Sequence, residues 1–193
     1  MRLIKTKIKD LCILEPKIFN DGRGYFLETY NEKRLKILIG KKYDFVQENE
    51  SESSYGVIRG LHYQLEPYSQ AKMVRVISGK VYDVALDLRE NSPTFGEWLG
   101  VELSSENKKQ VLIPKGFAHG FSVLSETAIF AYKCDEYYHP EAERGIIYND
   151  PALAVDWKIK EEDKVLSKKD KLLPEMKKAE MNFELRKPAL KAI

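Results

Sequence analysis

This chain of 193 residues has no long apolar run, no marked surplus of either charge and few cysteines or histidines. No stretch approaches the ~20 apolar residues of a membrane span. The opening MRLIKTKIKDLCILEP alternates apolar and charged positions. It lacks the apolar block of a secretory leader, so a cytoplasmic protein is expected. Lys and Arg total 32, Asp and Glu 30, for a net charge of +2. That balance argues against adhesion to nucleic acid or anionic lipid through bulk charge, and neither partner is expected. A local basic pocket for a phosphorylated small molecule stays open. The two cysteines, Cys12 and Cys134, form no C-x-x-C pair and read as free thiols of a reducing compartment. There is no G-x-G-x-x-G fingerprint, no Walker loop, no repeat and no low-complexity tract.

What the chain does have is strand signal. Hydrophobic residues make up 43% and charged ones 32%, a composition for one folded domain rather than disorder. Residues 11–19 read as a strand, Asn20–Gly24 as a turn and Gly24–Tyr30 as the returning strand. One helix follows, capped by Asn31 and ended by Gly40, with Leu35, Leu38 and Ile39 on one face. From Asp44 to about Tyr148 short strands dominate. Met73–Ile77 and Val81–Leu88 flank Ser78-Gly79-Lys80, which reads as a hairpin. Within the second of these, Tyr82, Val84, Leu86 and Leu88 share one face, and Val81, Asp83, Ala85 and Asp87 the other. Further strands are expected at Trp98–Leu103, Val111–Ile113, Phe117–Leu124 and Thr127–Cys134. Regular short strands without intervening helices predict an antiparallel sandwich or barrel. Ser167 and Pro174 read as helix starts in a Lys- and Glu-rich tail. The expected organisation is one domain over 1–193, with a charged, partly helical tail from about residue 158.

The three histidines are His62, His119 and His139. Gly56-Val-Ile-Arg-Gly-Leu-His62-Tyr-Gln64 and Pro114-Lys-Gly-Phe-Ala-His119 resemble the two cupin motifs, G-x5-H-x-H and P-x-G-x2-H. This resemblance implies a mainly β, cupin-type jelly roll, the double-stranded β-helix, with a few short peripheral helices. Gln64 replaces the second histidine, and Glu66 falls too early to be the expected glutamate. A catalytic metal wants about three protein ligands, so no metal is expected here. A metal-free His62 can serve as a base near neutral pH, although a strand histidine satisfied by hydrogen bonds is the bland alternative. Arg59, Lys72 and Arg75 lie close in sequence. Arg59 and His62 have an odd spacing and would face opposite sides of a regular strand. A bulge at Gly60 would turn both to one side. Tyr132 and Tyr138 fit either core packing or, respectively, a proton donor and a stacking platform. Asp170 fits a capping box with Ser167, or a carboxylate that orients a histidine.

Longer stretches carry a more specific likeness. Phe19-Asn-Asp-Gly-Arg23-Gly-Tyr-Phe-Leu-Glu28, Gln47-Glu-Asn49, Lys72-Met-Val-Arg75, Ser92-Pro-Thr-Phe-Gly96, Tyr132-Lys133, Tyr137-Tyr138, Asn149-Asp-Pro151 and Leu166-Ser-Lys-Lys-Asp170 join the two histidine motifs in unbroken order. Together they resemble the dTDP-4-dehydrorhamnose 3,5-epimerase family from about residue 10 to 175. Glu48, where that family often has Asp, and Tyr148, where Trp is usual, depart from it. The resemblance implies a cofactor-independent isomerase acting on a dTDP-linked 4-keto sugar. His62 would be the base, oriented by Asp170, with Tyr132 the acid on the opposite face of the sugar and Lys72 near the keto oxygen. Arg59 and His119 would line the sugar and diphosphate region. Arg23, Glu28, Gln47, Glu48, Asn49, Glu143 and Lys169 would contact the nucleotide, and Tyr138 would stack on thymine. A homodimer is implied, with N-terminal strands that bring Arg23 and Glu28 to the neighbouring site. The rivals are an epimerase working at carbon 3 or 5 alone, a metal-dependent cupin dioxygenase and a non-catalytic sugar-nucleotide-binding cupin.

Overall fold

The computed structural model of the chain describes residues 1–185. In chain order its elements are β1 (Arg2–Lys5), β2 (Cys12–Glu15), β3 (Ile18–Asp21), β4 (Gly24–Leu27), α1 (Glu32–Ile39), β5 (Gln47–Ser54), β6 (Ile58–Gln64), β7 (Lys72–Ser78), β8 (Lys80–Asp87), β9 (Trp98–Ser104), β10 (Gln110–Ile113), β11 (Phe117–Val123), β12 (Thr127–Cys134) and β13 (Glu143–Gly145). One sheet has the order β1-β2-β10-β7-β12-β5, a second β13-β6-β11-β8-β9, and β3-β4 form a separate hairpin. The named strands pair antiparallel throughout. From β5 to β12 the chain changes sheet at nearly every connection, which is the jelly-roll arrangement the cupin motifs imply.

Between the sheets, Val74, Val111 and Phe130 of the first meet Ala85, Leu103 and Phe121 of the second in one buried cluster. The period-2 reading of β8 holds, with an addition. Its Val81 and Ala85 enter this inter-sheet core, whereas Val84 and Leu86 enter a second cluster with Leu88, Trp157 and Phe183 on the outer side. The C-terminal segment therefore covers a face that would otherwise meet water.

Several local expectations are corrected. Residues 11–19 do not form one strand, because Pro16, which lacks an N–H, separates β2 from β3. The return strand stops at Leu27. Ser78-Gly79-Lys80 is a corner, not a hairpin: β7 pairs with β10 and β12, while β8 pairs with β11 and β9. Gly79 has φ 77°, and a Cβ there would lie 2.1 Å from the Thr127 carbonyl oxygen. Only glycine allows that approach. The tail forms no α-helix among the described residues, only single 3-10 turns at Glu161–Asp163, Asp170–Leu172 and Met176–Lys178. The last part of the charged tail, residues 186–193, lies outside those described.

Helix α1 follows its signals. Asn31 Oδ1 accepts from Arg34 N at 3.1 Å, Leu35 is buried, and Gly40 N donates to the Lys36 carbonyl at 2.8 Å. No helix among the described residues is long and apolar enough to cross a membrane. Cys12 and Cys134 are free and buried.

One ion pair is part of the core. Arg89 donates to Asp87 through Nε (2.8 Å) and Nη2 (2.9 Å), to Asp10 Oδ2 (2.9 Å) and to the Lys9 carbonyl (2.9 Å). Ser92 Oγ (2.6 Å) and Thr94 Oγ1 (2.8 Å) also donate to Asp87, which is 0% exposed. Burial alone would raise the Asp87 pKa, but these bonds hold it below the ordinary carboxylate value. Its contribution to stability is therefore complete above the unfolded value of about 3.9 and is lost as pH falls through the lower folded value. Arg89→Met leaves Asp87 buried without its cation. The expected loss is about 3–5 kcal/mol in urea unfolding at neutral pH, shrinking in acid where Asp87 becomes protonated. A deficit below about 1 kcal/mol would show that the pair is dispensable.

Candidate active site

The site grows from an irregularity in β6. His62 stands opposite His119 on β11 and Arg59 opposite Phe121, with a register shift between the two pairs. Gly60 and Leu61 thus face Gly120 alone, which is a bulge. Gly60 has φ 109°, and a Cβ there would lie 2.6 Å from the His119 carbonyl oxygen. The extra residue changes the parity of the strand, so Arg59 and His62 both come to the inter-sheet side.

His62 Nε2 lies 2.6 Å from Asp170 Oδ1. Burial alone would raise the Asp170 pKa, but the bond and charge of His62, with Ser167 and Lys169, bring it below the usual range. The carboxylate is ionised and accepts, so His62 Nε2–H donates and Nδ1 is the free basic nitrogen. Nδ1 makes no hydrogen bond to a described residue. Of the two readings of Asp170, the backbone half of the cap is present as well, since Asp170 N donates to Ser167 Oγ at 3.0 Å. Its carboxylate, however, belongs to His62.

The facing wall comes from the other sheet. His119 stacks on Phe130 of β12 with centroids 6.0 Å apart, and Phe130 lies 6.1 Å from Tyr132. Lys72, at the start of β7, has its Nζ 5.8 Å from the Tyr132 ring centroid. Burial pushes the Tyr132 phenol pKa up and Cys134 adds to this, while Asn49 and Arg59 pull it down. Burial lowers the Lys72 ammonium, opposed by Cys134, Glu143 and Asp83. No carboxylate among the described residues lies within ion-pair distance of Lys72. It is a desolvated cation whose compensating charge must come from elsewhere. Arg59 reaches across to β5, donating to Ser53 Oγ at 3.1 Å and to the Glu52 carbonyl at 3.4 Å.

At the rim, Tyr138 Oη donates to Glu143 Oε2 at 2.7 Å, and Lys169 Nζ pairs with the same oxygen. Burial would raise the Glu143 pKa, but Lys169, Tyr138 and His62 together lower it. The Glu143 bond raises that of Tyr138. Gln47 accepts from Tyr138 N at 2.9 Å and donates to Asn49 Oδ1 at 3.0 Å, and Glu48 pairs with Lys133 at 2.6 Å.

His62, Asp170, Tyr132, Lys72, Arg59, His119, Tyr138, Glu143, Lys169, Gln47 and Asn49 thus lie on connected elements of one region. Glu48 does not join them: strand alternation turns it, with its partner Lys133, to the outer side of the first sheet, where Lys133 lies over Tyr30. Arg23 and Glu28 do not join it within the single chain. Arg23 pairs with Asp21 at 2.6 Å on the exposed hairpin, and Glu28 pairs with Arg34 at 3.0 Å and accepts from Asn31 at 3.0 Å. Asp83 was missed by sequence reasoning. Its Oδ2 lies 2.7 Å from His119 Nε2 inside the barrel. The available signal was a carboxylate on the inward face of β8, which requires a buried partner.

For a metal, both cupin histidines have Nε2 bound to carboxylates, and Gln64 spends its amide on backbone groups. It donates to Tyr68 O at 2.7 Å and Tyr137 O at 3.1 Å and accepts from His139 N at 2.7 Å. Among the described residues no group of three His, Cys, Asp or Glu side chains is arranged to hold an ion.

Comparison with known proteins gives a consistent result. The family described as dTDP-4-dehydrorhamnose 3,5-epimerase matches residues 5–178. A Shigella flexneri protein of that name is 52% identical over 170 residues, 88% of this chain and 93% of the relative. The crystal structure of the Elizabethkingia anophelis enzyme of that name superposes with a TM-score of 0.89 at 56% identity, covering 92% of this chain and 97% of that one. A Legionella pneumophila dTDP-6-deoxy-D-glucose-3,5-epimerase, solved in complex with dTDP-4-keto-L-rhamnose, gives 0.87 at 54% identity, covering 90% and 92%.

Nitrogen-15 NMR of neutral His62 should find the proton on Nε2. Asp170→Asn should mix the two tautomers, since an amide can accept or donate. A predominant Nδ1–H form in the parent protein would overturn the assignment.

Proposed function

Because the chain belongs to the dTDP-4-dehydrorhamnose 3,5-epimerase family, we propose that it inverts carbons 3 and 5 of dTDP-4-dehydro-6-deoxy-D-glucose, giving dTDP-4-dehydro-L-rhamnose. One observation carries this reading: the Asp170-bound His62 and the pair Tyr132 and Lys72 belong to opposing sheets of one barrel.

The chemistry follows from the ketone at carbon 4. Both neighbouring C–H bonds are acidified, because the carbanion delocalises onto the keto oxygen. His62 Nδ1 takes the proton, and Asp170 holds the ring and stabilises the imidazolium that forms. The negative charge grows on oxygen, where a desolvated, unpaired Lys72 ammonium stabilises it. Inversion needs the new proton from the other face. Tyr132 supplies it, its raised pKa keeping the phenol protonated at neutral pH. No electrons are exchanged, so a redox cofactor is not called for.

In this reading Arg59 and His119 bind the sugar and diphosphate. Tyr138 stacks on thymine, and Glu143, Lys169, Gln47 and Asn49 hold the nucleotide. Arg23 and Glu28 serve the neighbouring subunit of a homodimer. The exposure of Ile18, Phe19, Tyr25 and Phe26 on the β3-β4 hairpin supports that role, since a partner's surface would cover them. The reaction is assigned to the reducing cytoplasm, a reading supported by two free cysteines.

In D₂O the keto sugar should take up deuterium at both carbon 3 and carbon 5. His62→Ala should abolish both exchanges and lower turnover about 10³-fold while the protein stays folded. Tyr132→Phe should keep exchange and lose inversion. Deuterium at one carbon would replace this reading with a single-site epimerase. No exchange with substrate bound would leave a binding protein.

Activity should also survive exhaustive chelation, since Gln64 is committed to the backbone. Loss restored by one divalent ion would favour a metal-dependent cupin.

A further inference from the structure

Tyr138 is 51% exposed, yet its backbone is held more tightly than an exposed aromatic requires. Three amide side chains converge on the turn that carries it. Gln64 donates to Tyr137 O and accepts from His139 N, so it grips the residues on either side. Gln70 donates to Glu136 O at 2.9 Å and to Tyr137 O at 3.3 Å, and Gln47 accepts from Tyr138 N. The same Gln64 amide donates to Tyr68 O, and the Tyr68 ring stacks on His139 with centroids 3.8 Å apart. Gln64 is only 4% exposed, and both its hydrogens and its oxygen are used.

We infer that Gln64 is a positioning residue for the nucleotide-binding platform, holding Tyr138 in its stacking pose from the strand position at which a metal-binding cupin carries its second histidine. The inference rests on the reading of Tyr138 as the thymine platform. The physical reason is preorganisation. A free aromatic on a loop loses conformational freedom when it stacks, and a ring already fixed does not. Glutamine suits the position because it is neutral and both donates and accepts. Glutamate of the same shape cannot donate, and would set a carboxylate against two carbonyl oxygens. Histidine has neither the reach nor the donor count for three backbone partners on two segments.

The test is a double-mutant cycle read by calorimetric dTDP binding and by steady-state kinetics. Gln64→Glu should raise the dTDP Kd and the substrate KM about tenfold, with kcat within about threefold. Tyr138→Ala should weaken dTDP by a similar factor. The double variant should bind dTDP within about twofold of Tyr138→Ala alone, because Gln64 acts through the ring. A merely structural role would give additive losses. Additive losses, or an unchanged Kd in folded Gln64→Glu beside a weakened Tyr138→Ala, would overturn the inference alone. Unchanged dTDP affinity in Tyr138→Ala would overturn the stacking reading, and this inference with it. Should Gln64→Glu fail to fold, Gln70→Leu, which removes two donors from the same turn, takes its place in the cycle with the same expected non-additivity.

Discussion

Gly60 and Gly120 meet backbone to backbone between adjacent strands, and the rest of the site depends on that contact. A Cβ on Gly60 would lie 2.7 Å from Gly120 Cα, and one on Gly120 would lie 2.6 Å from the Arg59 carbonyl oxygen. Neither strand tolerates a side chain there. The close approach makes room for an extra residue on β6, and the extra residue sets the parity of everything before it relative to everything after. Without it, Arg59 and His62 would lie on opposite faces, one between the sheets and one beneath the C-terminal segment. The Arg59 bonds to β5 and the pairing of His62 with Asp170 both follow from that one irregularity.

Charge is distributed through the barrel by a consistent rule. Arg89 and Asp87, where rigidity is all that is needed, are fully paired. Asp170 and Asp83 each hold one histidine nitrogen. Lys72, like Arg59, has no carboxylate within ion-pair distance among the described residues. An unpaired buried cation costs folding free energy. The proposed reaction develops an oxyanion and needs such a cation, so in that reading the cost is tied to the chemistry.

The legibility of the sequence followed the range of the interactions involved. The caps of α1 were readable because Asn31 and Gly40 act within one turn. The inward and outward faces of β8 were readable because that strand alternates without a bulge. The corner at Gly79 was not. Strand-glycine-strand looks the same whether the second strand pairs with the first or crosses to another sheet, and only distant partners such as β10 and β11 decide. Asp170 showed a local role as a cap and a distant one as a histidine's partner, and only the fold, with His62 108 positions away, joins the second. Ser167 and Pro174 carried start signals, yet only 3-10 turns formed, because that segment is drawn out over the sheet to bury Trp157 and Phe183. Arg23 and Glu28 sit apart from the site in one chain, so their assignment depends on a second chain that no intrachain pattern encodes.

The family match ends at residue 178, but burial continues beyond it. Phe183 is 1% exposed and packs edge-on against Tyr63 with centroids 5.6 Å apart, while Asn182 bonds both backbone groups of Glu66 and Glu180 O accepts from Tyr63 Oη. The extent of the family match and the extent of packing therefore end at different residues. A polypeptide trimmed at residue 178 would lose Phe183 from the outer side of β6, where it packs on Tyr63, the residue next to His62. For this protein, loss of that one aromatic would reach the strand that carries the candidate base.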